Sequence, residues 1–420
     1  MRGHAVVVTT GSAGDLFPFL KLASSLRDSG LAISFVGPSL HAELVAQAGF
    51  TFHGTFADPA VLDDPDVWHP RRGFGIIWRA VRPGMRELGP IVAALPHNEP
   101  CVIVTHPLAL HEALLCRALR PDLRVVLGYL APSNIPTTYD PLLLGPYLVP
   151  RWVPHAVRRW LWRQVGKRLV DPIVLPDINA DRAQAGVPPA TGMFDMLLNG
   201  PDLSVTLFPA WFGPPQLDWP QPLQCGDFAL FDPQPAAAFS PELQSFLEQG
   251  TAPLIFTPGT ANRQAQTYFA HALAATVELG RRAIFLTPHI EQIPADLPPS
   301  VLWQSYLPLR KLLPHAAALI HHGGIGTTAE ALHAGIPQLI VALAYDQFDN
   351  AYRVKALGAG LALNKTRLSR ATLTAQLRKL VSDDGFAVRC EHLKGQFKID
   401  GAWQQMINAI SETISKTAKN

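Results

Sequence analysis

The stretch that decides the fold runs from Leu319 to Asn350 and reads LIHHGGIGTTAEALHAGIPQLIVALAYDQFDN. The apolar run 316–320 predicts a buried strand, and residues 328–333 after the glycine-rich turn are good helix formers. The Gly-Ile-Pro sequence at 335–337 ends that helix, and the apolar run 338–344 predicts the next strand. Strand, glycine turn, helix and second strand together form a βαβ unit of a parallel sheet.

The glycine-rich turn of this unit has the composition of an anion site. Gly324 and Gly326 let the backbone approach a ligand closely, and the first N–H groups of a helix are unpaired at the positive end of its dipole. His322 adds a donor, or a positive charge when protonated, and Thr327 and Thr328 add hydroxyls. The turn lacks the Gly-Lys-Ser/Thr of a Walker loop and the acidic cluster of a magnesium site. It therefore predicts a metal-free diphosphate site.

Length and composition favour two domains and a soluble chain. A chain of 420 residues suits two α/β domains, and its charged fraction of 16% is low, which predicts extra apolar surface at a domain interface or for an apolar ligand. The net charge of +2 gives no indication of nucleic-acid binding. No apolar run is long enough for a signal peptide or a membrane span, so we expect a cytoplasmic protein. Four scattered cysteines predict free thiols: Cys101, Cys116, Cys225 and Cys390.

Two polar residues lie at predicted strand ends of the first domain, one of them in the first βαβ unit, residues 5–37. Asp15 lies where the first helix begins, after the turn GSAGD. An acid there is favoured by the helix dipole, and the same position also suits a catalytic base. His106 ends the strand of CVIVTHP, either as a structural residue or in the lining of an acceptor pocket. The residues alone leave both alternatives open.

The pattern along the chain predicts an α/β fold of two Rossmann-like doubly wound domains that face each other across a cleft. Residues 1–215 form the first domain, and a proline-rich linker follows at 216–235. Residues 236–402 form the second domain, which begins with the strand and glycine turn of PLIFTPGT. We expect the C-terminal helix, about 403–416, to pack back on the first domain.

One basic segment allows two interpretations. Residues 151–170 contain six Arg or Lys, three Trp and no acid. A basic helix of this kind, at 151–168, suits contact with an anionic membrane surface, which predicts a peripheral association with the inner face of the membrane. The alternative is a solvated helix whose tryptophans pack inward.

The segment HHGGIGTTAEALHAGIPQLIVALAYDQFDNA, 321–351, resembles the donor-binding signature of the family 1 glycosyltransferases, which have the GT-B fold. The start GSAGDLFPF, the segment FPAWFGPPQLDWPQPL and the loop YLPLRKLLPH resemble that family as well. Within it the resemblance is closest to the bacterial rhamnosyltransferases of rhamnolipid synthesis. Similar segments occur in sterol and glycopeptide-antibiotic glucosyltransferases.

The resemblance implies a nucleotide site in the second domain. Its glycines and threonines would form the diphosphate cradle together with His322, and these residues are Gly324, Gly326, Thr327 and Thr328. Glu330 would hold the ribose, on the same helix side as Thr327. Thr260 would lie near the phosphates.

The resemblance also implies contacts to the base and to the sugar. Tyr306 stands where the family has a Trp that stacks on the base, and Leu307 would offer its backbone to the base edge. Asp346 and Gln347 would bind the sugar hydroxyls. Leu309 replaces the Gln of the plant enzymes, and this change with Tyr306 leaves room for thymidine as well as uridine.

The implied reaction is an inverting, metal-independent sugar transfer with no cofactor, and Asp15 would be its base. We expect dTDP-rhamnose as donor and a hydrophobic, lipid-like acceptor. The alternatives are a UDP-glucose-dependent enzyme that acts on a sterol, polyketide or other small aglycone, and a non-catalytic nucleotide-sugar-binding subunit. Aromatic residues of the first domain, with His106, are the expected acceptor contacts: Phe17, Phe19, Trp68, Phe74, Trp78 and His106.

Overall fold

The computed structural model describes residues 3–96, 99–233, 238–397 and 401–415. The chain divides into two compact units. Unit one comprises residues 1–231 together with 400–420, and unit two comprises residues 232–399. Each has its own parallel sheet, as the alternation of apolar runs and helix patterns predicts.

Unit one is built on a seven-stranded parallel sheet with the order β3-β2-β1-β4-β5-β8-β9, and β6 and β7 form a separate antiparallel hairpin. The strands of unit one are β1 His4–Val8, β2 Ala32–Pro38, β3 Thr51–Thr55, β4 Cys101–Thr105, β5 Arg124–Tyr129, β6 Leu143–Leu144, β7 Tyr147–Leu148, β8 Leu203–Thr206 and β9 Leu223–Cys225. Its helices before residue 231 are α1 Ala13–Asp28, α2 Ala42–Gln47, α3 Gly73–Met85, α4 Leu88–Ala93, α5 Leu110–Leu119, α6 His155–Val165, α7 Asp171–Gln184 and α8 Met193–Asn199. The buried apolar strands explain why β1 and β4 read as nearly continuous hydrophobic runs.

Unit two has a six-stranded parallel sheet with the order β12-β11-β10-β13-β14-β15. Its strands are β10 Leu254–Thr257, β11 Ala283–Leu286, β12 Val301–Gln304, β13 Ala318–His321, β14 Gln338–Ala342 and β15 Gly360–Asn364. Its helices are α9 Pro241–Glu248, α10 Gln266–Glu278, α11 Leu309–Leu312, α12 Ile325–Ala334, α13 Gln347–Ala356, α14 Arg370–Ser382 and α15 Asp384–Gln396. Side chains of β10 alternate between two apolar cores, one on each face of the sheet.

Both sheets reverse their strand order at one point, between β1 and β4 in unit one and between β10 and β13 in unit two. In an open parallel sheet, ligands bind beyond the carboxyl ends of the strands at such a switch point. Asp15 and His106 follow β1 and β4, and the turn at 322–326 follows β13. Within each unit, the topology therefore places the residues that the sequence predicted at strand ends beside the switch point of that unit's own sheet.

The segment 216–235 is not a linker throughout. Residues 223–225 form β9, which pairs with β8 at the edge of the first sheet, and unit one extends to Phe231. The prolines were misleading because an edge strand tolerates them around a short paired segment. Positions 234–235 of the expected linker lie outside the described residues.

The C-terminal helix α16, Ala402–Ser415, belongs to unit one. The indole N–H of Trp403 donates to the hydroxyl of Ser25 on α1 at 2.9 Å, and Met406 packs over Gly226. Residue 416 of the expected helix lies outside the described residues. All four cysteines are free thiols. Among the helices that the structure describes, none is both long and apolar enough to cross a bilayer.

Candidate functional site

Asp15 is fixed by the turn that precedes it. Ser12 is the N-cap of α1, and its N–H donates to Asp15 Oδ2 at 2.9 Å while its hydroxyl lies 3.3 Å from the same oxygen. Gly11 has φ +86°, and a Cβ there would lie 2.4 Å from Oδ2, so only glycine fits beneath the carboxylate. The Asp15 side chain is 35% exposed. Capping therefore orients the carboxylate without closing it off from a ligand.

Two histidines flank the Asp15 turn. His106 follows β4, and its Nε2 lies 3.7 Å from Asp15 Oδ1. Its Nδ1 accepts a hydrogen bond from the Leu108 N–H at 3.2 Å. His41 Nε2 lies 3.1 Å from the carbonyl oxygen of Gly11, and burial lowers the pKa of His41. His106, expected among the acceptor contacts, thus lies beside the residue expected to be the base.

His322 packs between two glycines of unit two. A Cβ on Gly259, in the turn after β10, would lie 2.6 Å from the imidazole, and a Cβ on Gly324 would also lie 2.6 Å from it. Burial lowers the pKa of His322 to about 4, so the ring is neutral near pH 7. Of the two roles that the sequence allowed, a donor or a positive charge, the neutral ring supplies only the donor near pH 7. The neutral ring can still donate one hydrogen bond.

The N-terminus of α12 has unpaired N–H groups, and one of its glycines borders open space. Gly324 is the N-cap, and the N–H groups of residues 325–327 have no acceptor within the helix. A Cβ on Gly326 would meet no protein atom within 4 Å, so this position borders open space. Thr327 is half-buried. Thr260, after Gly259, is exposed.

Thr328 does not supply a hydroxyl to this cradle. It is fully buried, and its Oγ1 is enclosed by protein. Position 328 faces the core because it lies on the side of α12 that packs on the sheet. Sequence spacing alone could not distinguish it from Thr327.

Glu330 has a partner that the sequence interpretation missed. Arg310, on α11, donates from Nε to Glu330 Oε2 at 2.9 Å and from Nη2 to Oε1 at 3.0 Å. Tyr306 is exposed beside this pair, and burial, Asp232 and Glu330 together raise the pKa of its hydroxyl. The side chain of Leu307 packs in the core, which leaves its backbone as the group available to a ligand.

The polar cluster after β14 divides into one accessible and two buried members. Gln347 Oε1 accepts the N–H groups of Leu343 and Ala344 at 2.8 and 3.1 Å, so its carbonyl oxygen holds the loop. Asn350 is fully buried and donates to the Gly323 carbonyl and to Asp346 Oδ2, both at 2.8 Å. Asp346 is half-buried, and it is the accessible acid of this cluster.

The residues expected to contact an acceptor separate by burial. Phe19 and Trp78 are fully buried, and Trp78 donates to Asp177 at 2.9 Å. Neither presents surface to a ligand, so both expected contacts are corrected to core positions. The accessible members are half-buried, and they are Phe17, Trp68 and Phe74.

One group of potential metal ligands occurs among the described residues, formed by His111, Glu112 and Asp181. The guanidinium of Arg82 contacts both carboxylates of this group. Arg86 also contacts Asp181, at 2.9 Å, so two arginines balance the two acids and the group is an ion network that joins α3, α5 and α7. Burial lowers the pKa of His111 to about 3.

Comparison with known proteins identifies the fold and its relatives. Residues 272–410 match the family profile described as "Erythromycin biosynthesis protein CIII-like, C-terminal domain". The chain is 29% identical over 416 residues to the O-mycaminosyltylonolide 6-deoxyallosyltransferase of Streptomyces fradiae, with 92% of each chain covered.

Two solved structures share the fold over nearly the whole chain. The kitacinnamycin glycosyltransferase has a TM-score of 0.76 at 18% identity, and 99% of this chain and 100% of that one are covered. The spinosyn rhamnosyltransferase SpnG, complexed with thymidine diphosphate, has a TM-score of 0.64 at 21% identity and coverages of 94% and 96%. In fold and by its relatives, this chain is a glycosyltransferase of the GT-B type.

Proposed function

We propose that this enzyme transfers a deoxysugar, with L-rhamnose favoured, from a dTDP-sugar to a hydroxyl of an apolar acceptor. The observation that carries the proposal is the turn at 322–326, which combines the unpaired N–H groups of a helix terminus, a neutral histidine and a Gly326 that borders open space. Such a helix terminus suits a diphosphate without a metal ion. The reaction needs no organic cofactor.

The thymidine nucleotide is favoured by the base site and by a structural neighbour. Tyr306 offers a smaller ring than Trp, and it stands exposed beside the Arg310–Glu330 pair. The neighbour SpnG is a rhamnosyltransferase that was solved with thymidine diphosphate. UDP-glucose is the competing donor, and the 2′-hydroxyl of its ribose would donate a further hydrogen bond to Glu330.

Two acceptor classes fit the apolar side chains of unit one. A hydroxyacyl lipid is favoured by the exposed apolar and basic surface around α6, described below. A polyketide aglycone is favoured by the tylonolide-type relative, whose name describes such a substrate. Both offer a hydroxyl on an apolar body, and so both suit Phe17, Trp68 and Phe74.

In the proposed mechanism the acceptor hydroxyl gives its proton to Asp15 as its oxygen attacks the anomeric carbon. The bond from that carbon to the diphosphate oxygen breaks, and the electron pair leaves with the dTDP. Charge on the leaving diphosphate is stabilised by the N-terminus of α12 and by a hydrogen bond from neutral His322. A single displacement inverts the anomeric carbon and needs no covalent intermediate.

The surface around α6 supports a peripheral contact with anionic membrane. Trp152 is 82% exposed and Trp160 is 56% exposed, whereas Trp162 packs against Phe194 with its indole N–H on the Thr137 carbonyl. Five of the six cations of this segment are exposed, and only Arg158 is buried. Hairpin β6–β7 adds three exposed apolar side chains just before α6, which are Leu144, Tyr147 and Leu148.

A donor and acceptor panel tests the proposal. Calorimetry should give tighter binding of dTDP than of UDP, and dTDP-rhamnose should turn over with a hydroxyacyl lipid or a polyketide aglycone. Efficient transfer from UDP-glucose and none from dTDP-sugars would assign the alternative donor. Tight nucleotide binding without transfer to any acceptor would leave the binding-subunit alternative.

A further inference from the structure

His106 is held in one tautomer by its neighbours. The backbone N–H of Leu108 can only donate a hydrogen bond, and it donates to His106 Nδ1 at 3.2 Å. The hydroxyl of Thr10 lies 3.1 Å from the same nitrogen. Nδ1 is therefore the accepting nitrogen, and the proton of the neutral imidazole lies on Nε2.

The protonated nitrogen faces the unused oxygen of Asp15. Oδ2 accepts from the N–H and hydroxyl of Ser12, whereas Oδ1 lies 3.7 Å from His106 Nε2. That separation is too long for a direct hydrogen bond. An oxygen atom about 2.8 Å from both atoms would bridge them with ordinary hydrogen-bond lengths.

We propose that Asp15 Oδ1 and the Nε2–H of His106 together hold the acceptor hydroxyl. The hydroxyl would donate its proton to Oδ1 and accept the Nε2–H with one lone pair, which leaves its second lone pair for the anomeric carbon. As the proton passes to Oδ1, the Nε2–H stabilises charge on the acceptor oxygen. This inference rests on the proposed function, and it names Oδ1 as the oxygen that takes the proton.

The local environment supports this assignment. His106 directly follows β4 and Asp15 follows β1, so adjacent strands at the switch point present the two groups. The ring of Phe19 lies 6.0 Å from the imidazole and packs against its side. The other titratable ring at this turn, His41, uses its Nε2 on the Gly11 carbonyl and does not compete for Oδ1.

Two substitutions separate the proposed role from a structural one. His106→Asn keeps an acceptor near the Nδ1 position for the Leu108 N–H but removes the donor at Nε2. His106→Gln keeps a donor near the Nε2 position but loses the acceptor of the Leu108 N–H. If His106 holds the acceptor, the His106→Asn variant should keep the wild-type melting temperature and dTDP affinity. Its kcat should fall on the order of tenfold or more, and its KM for the acceptor should rise. Gln should retain more activity than Asn at a lower melting temperature.

The results distinguish failure of the inference from failure of the proposed function. Wild-type kcat and acceptor KM in His106→Asn, with transfer abolished in Asp15→Asn, would overturn the role of His106 alone. If transfer activity falls more in His106→Gln than in His106→Asn, and in proportion to the melting temperature, then His106 serves only as the acceptor of the Leu108 N–H. Absence of transfer by the wild-type enzyme across the donor and acceptor panel would overturn the proposed function itself.

Discussion

Arg310 holds both carboxylate oxygens of Glu330 in a two-pronged pair of hydrogen bonds, 2.9 and 3.0 Å long. Glu330 is mostly buried on α12, and Arg310 is about one-third exposed on α11. Each carboxylate oxygen keeps a second lone pair, which can accept a hydroxyl. The arginine fork therefore fixes the plane in which Glu330 would meet the pentose of a bound nucleotide.

Arg310→Lys should weaken nucleoside diphosphate binding while it preserves the local charge. A lysine ammonium cannot reproduce the planar fork, so Glu330 loses its fixed orientation. We expect the Kd for dTDP, measured by calorimetry, to rise about fivefold. The control is Arg370→Lys, whose exposed pair with Glu278 is also 2.9 Å long. Equal affinities in the two variants would remove Arg310 from the nucleotide site.

Gly326→Ala should impair binding without impairing the fold. Its Cβ would enter open space, where the diphosphate is proposed to lie, and the helix would gain a residue of higher propensity. Gly395 on α15 is a matched control because its Cβ would also meet no atom within 4 Å. Both variants should unfold at or above the wild-type temperature, and only Gly326→Ala should lose dTDP affinity, by about tenfold or more. Wild-type affinity in Gly326→Ala would contradict the cradle.

Acid should destabilise unit two through its adjacent histidines. Burial lowers the pKa of His321 to about 3 and that of His322 to about 4, from an ordinary value of 6.5. Above pH 6.5 both rings are neutral in folded and unfolded chains. As the pH falls from 6.5 towards 4, only the unfolded chain takes up protons, so the unfolding free energy falls by about 1.4 kcal/mol per pH unit for each ring.

The variant His322→Gln removes one of the two imidazoles that take up a proton on unfolding. Its melting temperature should therefore depend less steeply on pH between 6.5 and 4 than that of the wild type. Thermal unfolding followed at several pH values makes the comparison, and both curves should be flat between pH 7 and 8. A slope unchanged by the substitution would mean that His322 is already protonated in the folded chain.

The strand-end residues were predictable because local sequence determines them. Apolar runs give β10, β13 and β14, glycines give the turns, and parallel topology places the residues after adjacent strands together. Asp15 and His322 were identified in this way. The pairing of Glu330 with Arg310 was not, since Arg310 lies twenty residues from Glu330 and only tertiary packing brings them into contact.

Burial was the least predictable property. Phe19 and Trp78 are residue types that suit an apolar acceptor site, yet both side chains are buried in the core. Trp162 turns inward whereas Trp152 and Trp160 turn outward, so the interpretation of inward-packing tryptophans holds for Trp162 alone, and the membrane contact stays a prediction. The positions of such side chains depend on neighbouring helices, which a single periodic pattern does not specify.

The surface around α6 should bind anionic vesicles. Purified protein should sediment with vesicles of phosphatidylglycerol and phosphatidylcholine at low salt and be released at high salt, because the attraction is screened. Trp160→Ser should weaken sedimentation by loss of an inserted ring. The control is Phe56→Ser, since Phe56 is 54% exposed. Equal binding by both variants, or no sedimentation of the wild type, would contradict the membrane contact.

The measurement that tests the central claim most directly is release of dTDP from dTDP-rhamnose by wild type and by Asp15→Asn in the presence of an acceptor. Asparagine keeps the shape of the side chain but cannot take a proton, so transfer should fall at least about a hundredfold. The Kd for dTDP, measured on the same samples, should remain unchanged. Transfer by Asp15→Asn at the wild-type rate would contradict the account of Asp15 as the base.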